Sequence, residues 1–416
     1  MSKRIETIRV TYDLATPLFC GGADPTVSEV RLPSFKGVLR WYWRAAVWER
    51  IGGTLETIQK AEETLFGSPG LGQGKVCMRW ARGAAVPSTL AKDDVLKDGR
   101  GRTVGAGARY LGYGVMEAFG SQVKKTVEGQ LSRGCVVPPL ALAIELRCRD
   151  LTTEERATLL LAVRAVGLLG AMGGKSRKGY GSLVLRDLTV DGGARWQAPR
   201  TMEELHACIV ELRRDCAGTG RRDDDDPPYT ALTSRARHVL IAARDQVHAA
   251  GLLDLVGREL VRYRSWGRDG RVLQNVTSER RFQLDHDLMK DVKAGMDAQV
   301  HPRRVAFGLP HNYGRDRREQ VGPRAARNRP PLDRRASPLL IHIHRCGETP
   351  VAVLSFLPAQ FLPDGATVSV GGTPVPVAAT PGLWKPIEDL LDRFMGRSSP
   401  AGPRQEPFGK AIEVKP

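Results

Sequence analysis

The densest run of residues able to do chemistry is Gly170-Ala-Met-Gly-Gly-Lys-Ser-Arg-Lys-Gly-Tyr-Gly-Ser-Leu183, in which five of fourteen residues are glycine and three are Lys or Arg. Glycine lets a backbone turn tightly and present its N–H groups, because no Cβ stands in the way. Cations among such groups suit the oxygens of a phosphodiester. The candidate phosphate contacts are Gly173, Gly174, Lys175, Ser176, Arg177 and Lys178. Gly174-Lys175-Ser176 has the ending of a nucleotide-binding P-loop, but that pattern needs glycine at 169, where Leu169 stands. A P-loop also runs strand, loop, helix. Here residues 154–169 have the apolar spacing of a helix and residues 183–190 read as a strand, so the order is reversed. A helix C-cap followed by a hairpin-like turn explains Gly173 or Gly174, but not three cations set between glycines.

A second basic array lies near the start. In Leu32-Pro-Ser-Phe-Lys-Gly-Val-Leu-Arg-Trp-Tyr-Trp-Arg-Ala45, helical spacing puts Lys36, Arg40 and Arg44 on one stripe. Val38, Trp41, Ala45 and Trp48 fall on another, with Ser34 as the expected cap. Arginine interleaved with aromatics suits stacking on single-stranded RNA. Trp41 belongs to the apolar stripe and is expected in the core, whereas Trp43 lies off it and is free to meet a partner.

Catalytic candidates are sparse. Tyr180 in the glycine loop could act in acid–base chemistry, but a packed ring is the plainer expectation. Asp24 lies in Gly21-Gly-Ala-Asp-Pro25, where aspartate is an ordinary turn residue. Asp285-His-Asp287 and His342-x-His344 could each start a metal site, but sequence names no further ligand. An exposed strand face or a hydrogen-bonded pair is the plainer expectation for His342 and His344. Four adjacent aspartates, 223–226, read as a solvated acidic run. No catalytic residue, metal or cofactor is expected.

These groups must be positioned by a chain of 416 residues, 41% hydrophobic, with a net charge of +17. That length allows two or three domains, and that charge favours polyanions. No apolar run approaches membrane-spanning length, and the first residues lack the apolar core of a signal peptide, so a cytoplasmic protein with no membrane partner is expected. Seven cysteines with no C-x-x-C imply neither a disulfide framework nor a zinc ribbon; most should be small buried residues. Strands are expected at 7–14 and 140–148, helices at 34–48 and 154–169, and glycine-rich loops between short strands over 67–114. The resulting order, β, α, irregular β, β, α, β, is close to a ferredoxin-like one. In the second half, 235–264 reads as one or two helices, and 315–335, with eight arginines, as a mobile basic loop. Residues 338–345 and 351–356 read as paired strands, and 383–395 as a helix. The expected division is 1–216, a linker or loop at 217–230, a second domain over 231–396, and a disordered tail at 397–416.

Taken together, Thr16-Pro-Leu-Phe-Cys-Gly-Gly-Ala23, the Pro-Ser-x-Lys-Gly-x-Leu-Arg-x-x-x-Arg core, Tyr110-Leu-Gly-Tyr-Gly114, the glycine loop and Arg334-Arg-Ala-Ser-Pro-Leu339 resemble the RAMP proteins of CRISPR effector complexes. With Trp41 and Trp43 inside the core motif, the chain looks like the first-numbered RAMP subunit of the type III-B Cmr complex. The resemblance implies an α+β fold of two ferredoxin-like, RRM-related (βαββαβ) domains, here with long glycine- and arginine-rich insertions. It also implies a noncatalytic place in an antiviral ribonucleoprotein where guide RNA pairs with target RNA, at the end distal to the guide's 5′ tag and beside other RAMP subunits. Lys36, Arg40, Arg44 and residues 173–178 are the RNA-binding candidates. A single-strand ribonuclease of the same fold and a purely structural cap are the alternatives.

Overall fold

The computed structural model describes residues 5–24, 26–52, 54–82, 86–217, 226–267, 270–273, 276–314, 316–397, 400 and 402–415. In chain order the first half supplies β1 (Ile5–Leu14), α1 (Leu32–Val47), α2 (Leu55–Phe66), β2 (Val76–Trp80), α3 (Ala106–Leu111), β3 (Ala141–Arg149), α4 (Thr153–Leu169), β4 (Leu183–Val190) and α5 (Met202–Cys216). The second half supplies β5 (Arg237–Ala243), α6 (Ala249–Arg264), α7 (Gln283–Lys293), β6 (Leu339–Cys346), β7 (Thr349–Phe356), α8 (Lys385–Phe394) and β8 (Phe408–Val414).

The alternation in β1 buries Ile8, Val10, Tyr12 and Leu14. Ile8 stands opposite Leu146 and Val10 opposite Ile144 on β3. The first sheet has the order β2-β3-β1-β4, extended at the β4 edge by a two-residue strand, Gly193–Ala194, and every pairing is antiparallel. α1 and α4 pack on each other. α4 starts with a capping box between Thr152 and Glu155. The same spatial order recurs in the second sheet, β6-β7-β5-β8, again antiparallel. One of its faces, carrying Leu240, Leu340 and Val353, joins the core beneath α4 and α5. The other, carrying Val239, Ile341 and Leu354, is covered by α6 and α8. A smaller sheet of His311–Asn312, Gln320–Arg324, Thr367–Val370 and Thr373–Pro376 packs with α7.

Several expectations change. α1 buries Phe35, Leu39, Tyr42, Trp43 and Ala46, not the Val38–Trp41 stripe, although Ala45 is buried. Tyr42 counts as core because its hydroxyl donates to Leu169 O at 2.9 Å, so the inward face also follows a spacing of three and four. Trp43, expected to face outward, is buried because α2 covers it and Phe66 meets its ring edge-on at 6.0 Å. Ser34 does not cap; the helix starts at Leu32 with no side-chain cap. The glycine-rich stretch 67–114 holds short strands as expected, β2 and Ser88–Leu90, but also the helix α3, and 235–264 is strand β5 followed by α6. Within 316–335 the chain supplies the strand Gln320–Arg324, paired with Thr367–Val370, while Arg315 lies outside the described residues. The tail is not disordered over its described part. β8 pairs with β5, because the Gln405 and Glu406 amides are anchored on the Glu259 carboxylate at 3.0–3.1 Å. Of the expected linker, 218–225 and so three of the four aspartates lie outside the described residues. Residues 229–232 are strapped onto α1: Leu232 N donates to Ala45 O, and the Tyr229 ring meets Trp48. Cys20, Cys135, Cys148, Cys216 and Cys346 are buried and all seven thiols are free.

Candidate nucleic-acid interface

The glycine loop leaves the end of α4 and enters β4, so it emerges where the two sheets meet. Its backbone is held from both sides. Gly174 N donates to Phe19 O at 2.7 Å, Gly181 N to Pro17 O at 2.8 Å, and Ile341 N of β6 to Arg177 O at 3.1 Å. The glycines serve close approach. A Cβ at Gly173 would lie 2.5 Å from Phe19 O, at Gly181 2.1 Å from Met172 O, and at Gly179 2.6 Å from a Leu253 methyl; all three have positive φ. The expected amide cradle is therefore partly committed inside the protein, since the amides of Gly174 and Lys178 have internal acceptors. The side chains carry what remains. Lys175 is held at φ +62, a left-handed conformation that is uncommon away from glycine.

The three cations of the loop differ. Arg177 donates to Ser337 O at 2.8 Å and lies over the Trp41 ring at 5.3 Å. The Arg334–Leu339 motif is thereby brought against the glycine loop, 160 residues away in sequence. Trp41 is half-buried and lines a groove of about 350 Å³ with Ser34, Gly37, Ser176, Arg177 and Leu340. Lys175 and Lys178 line a second groove of about 360 Å³ with Tyr110, Tyr113, Phe119 and Arg264. Among the described residues neither ammonium group has a hydrogen-bonding or ion-pair partner. Burial pushes Lys178 down to about 7, with Arg264, Lys175 and Arg177 adding repulsion. Burial, then Arg334 and Arg133, lowers Lys175. A desolvated cation among cations is unfavourable unless an anion joins it.

Lys36, Arg40 and Arg44 are placed differently. Lys36 Nζ donates to Phe66 O at 2.8 Å, and the Arg40 and Arg44 guanidinium groups each lie 2.6 Å from the buried Glu62 carboxylate. The stripe docks α2 onto α1, and it does not converge with the glycine loop into one cluster of free cations.

Tyr180 is a core ring, as expected. Its hydroxyl donates to Ala108 O at 2.7 Å, Phe19 meets its ring edge, and burial raises its pKa far from any useful range. Asp24 accepts from Thr26 N and Oγ1, and those bonds lower its pKa. That is the behaviour of a turn residue. His342 and His344 are not on an exposed face; both are buried and form the hydrogen-bonded pair. Asp285 caps the Arg303 and Arg304 amides, and His286 stacks on Trp266 at 4.2 Å. Among the described residues no group of three His, Cys, Asp or Glu side chains is arranged to hold a metal ion. No described helix is long and apolar enough to cross a membrane.

Sequence reasoning missed Arg264, Tyr113 and Phe119 as neighbours of the loop. Arg264 ends α6 and donates to the Tyr110 hydroxyl at 3.1 Å. Tyr110 and Tyr113 stand out in the sequence only through their Tyr-Leu-Gly-Tyr-Gly motif, and Phe119 carries no local signal.

Comparison with known proteins adds four findings. Residues 11–184 match the RAMP superfamily model. A CRISPR system Cmr subunit from Pyrococcus furiosus, Cmr1-2, is 43% identical over 53 residues, which are 13% of this chain and 28% of the relative's length. The crystal structure of apo Cmr1 from Pyrococcus furiosus aligns over 99% of both chains with a TM-score of 0.50 at 15% identity, a likeness of fold. A chain in the cryo-EM structure of type III-B Cmr-beta bound to cognate target RNA aligns over 87% of this chain and 97% of its own, with a TM-score of 0.47 and 11% identity.

Proposed function

We propose that this chain, which carries a RAMP superfamily region over residues 11–184, is a noncatalytic RNA-binding subunit of a type III-B CRISPR ribonucleoprotein. It engages the backbone of guide or target RNA at the end distal to the guide's 5′ tag, alongside other RAMP subunits, in antiviral defence. The observation that carries the reading is the pair of partly buried lysines on the glycine loop, Lys175 and Lys178, whose charged neighbours among the described residues are all cations. The Trp41 groove and the Arg177 guanidinium flank them. Both four-stranded units have the βαββαβ connectivity and the strand order of ferredoxin-like domains, which supports a paired RRM-like architecture. The noncatalytic assignment rests on the structural occupations of Tyr180 and Asp24.

The test is affinity for single-stranded RNA as a function of salt. Log K falls by about 0.7 per neutralised phosphate against log salt. Arg177 is held by Ser337 and Trp41, so about two phosphates are expected at the loop. Changing Lys175, Arg177 and Lys178 to Ala should flatten the slope by roughly 1.4. An unchanged slope in a folded variant overturns the reading. Recovery of RNA and other RAMP subunits with the tagged chain tests the assembly.

A further inference from the structure

We propose that the groove between the glycine loop and the end of α6 is a pocket for one unstacked nucleotide of the bound RNA, with its phosphate on Lys178, Lys175 and Arg264 and its base against Tyr113 and Phe119. This deepens the RNA-binding reading and rests on it. The geometry has three independent parts. First, the groove holds about 360 Å³, at the lower end of the range of small-ligand clefts and suited to a single base with its phosphate. Second, three cations from different parts of the chain converge there. Lys175 and Lys178 come from the loop and Arg264 from the last turn of α6. The two ammonium groups have no partner among the described residues. Arg264 already donates to Tyr110 and leans on His311 at 3.4 Å, so it is aimed rather than free to swing. Third, the mouth carries large rings left in solvent, Tyr113 at 68% and Phe119 at 48% exposure. The turn bearing Tyr113 abuts Lys175: a Cβ on Gly114 would lie 3.7 Å from Nζ. Exposed rings beside desolvated cations match the two faces of a nucleotide, a flat π surface and an anion. The base would not be chosen by sequence, since stacking serves any base.

The folded state without RNA holds Lys178 against like charges, so Lys178→Met should raise the melting temperature of the free chain while weakening RNA binding. The experiment uses the full chain and a short single-stranded RNA containing 5-iodouridine, cross-linked by light, with the attached peptide identified by mass spectrometry. The expected result is attachment to Tyr113 or Phe119. Attachment should fall at least tenfold in Lys178→Met, and Tyr113→Ala should lose about tenfold in affinity with its fold intact. Free uridine monophosphate, added at the same nucleotide concentration, should not compete. Effective competition would make this a free-nucleotide site and overturn the assignment to a strand. Normal RNA affinity with attachment elsewhere, or a Lys178→Met chain that binds and cross-links as the wild type, sinks the pocket and leaves the RNA-binding reading standing. Absence of RNA binding at low salt overturns both.

Discussion

Acid should unfold this protein through three buried histidines. His238, His342 and His344 sit on the face of the second sheet that meets α4 and α5, each at most 1% exposed. Their bonds specify neutral rings. His342 Nδ1 is 2.8 Å from Gly170 O, which can only accept, so Nδ1 carries the proton. Nε2 of His342 must then accept from Nδ1 of His344 at 3.3 Å. A second proton on His342 would face that donor. His238 Nδ1 is paired with Ser355 Oγ at 2.8 Å. Burial holds His342 down to about 4 and His238 down to about 3, and holds His344 well below its usual value. The unfolded rings titrate near 6.5. A lowered histidine pKa means that the unfolded chain binds more protons, so stability is lost as pH falls through 6.5 toward the folded value. Between pH 7 and pH 5, His342 and His238 each cost about 2 kcal/mol, together about 4 kcal/mol. That is a large fraction of a typical stability of roughly 5–15 kcal/mol. The assay is the urea midpoint measured at half-unit pH steps. His342→Asn keeps a donor for Gly170 O but cannot titrate, so it should remove about 2 kcal/mol of the pH dependence. An Asn variant as acid-sensitive as the wild type would refute the argument.

Three more outcomes rest on particular contacts. Arg40→Gln with Arg44→Gln should cost about 1–3 kcal/mol in urea titration, because Glu62 is left buried without its partners, while changing the RNA salt slope little if these side chains only hold α2. Arg393→Met should cost about 3–5 kcal/mol, measured by thermal melting, because Arg393 and Glu259 are both fully buried 2.6 Å apart; limited proteolysis should then release the tail, whose amides hang on Glu259. End-labelled RNA incubated with the chain and Mg²⁺, Mn²⁺ or EDTA should stay intact; cleavage abolished by Asp24→Ala or Tyr180→Phe would instead establish the ribonuclease alternative.

Local pattern determined a good deal. The period-two alternation at 8, 10, 12 and 14 and at 140–148 allows only one buried face, and β1 and β3 obey it. The long apolar run of α4, the paired strands β6 and β7, and the last helix were equally legible, because their signals lie within each element. The glycine loop announced itself by composition. Its glycines, however, are required by Phe19, Met172 and Leu253, which sequence cannot place beside them. Elements whose reason for existing is distant were unreadable. β8 is a strand because β5 offers an open edge and Glu259 anchors the chain before it, not because Phe-Gly-Lys-Ala-Ile-Glu-Val alternates strongly. Trp43 and Trp41 exchanged roles because α2 covers one and Arg177 crosses the other. Lys36, Arg40 and Arg44 looked like a polyanion-binding stripe until Glu62 was placed beneath it. Charge and type are written in the sequence. Which cations are neutralised within the chain and which remain unopposed depends on the carboxylates that folding brings near. Only the tertiary structure decided that, leaving Lys175 and Lys178 unopposed among the described residues at the seam between the sheets.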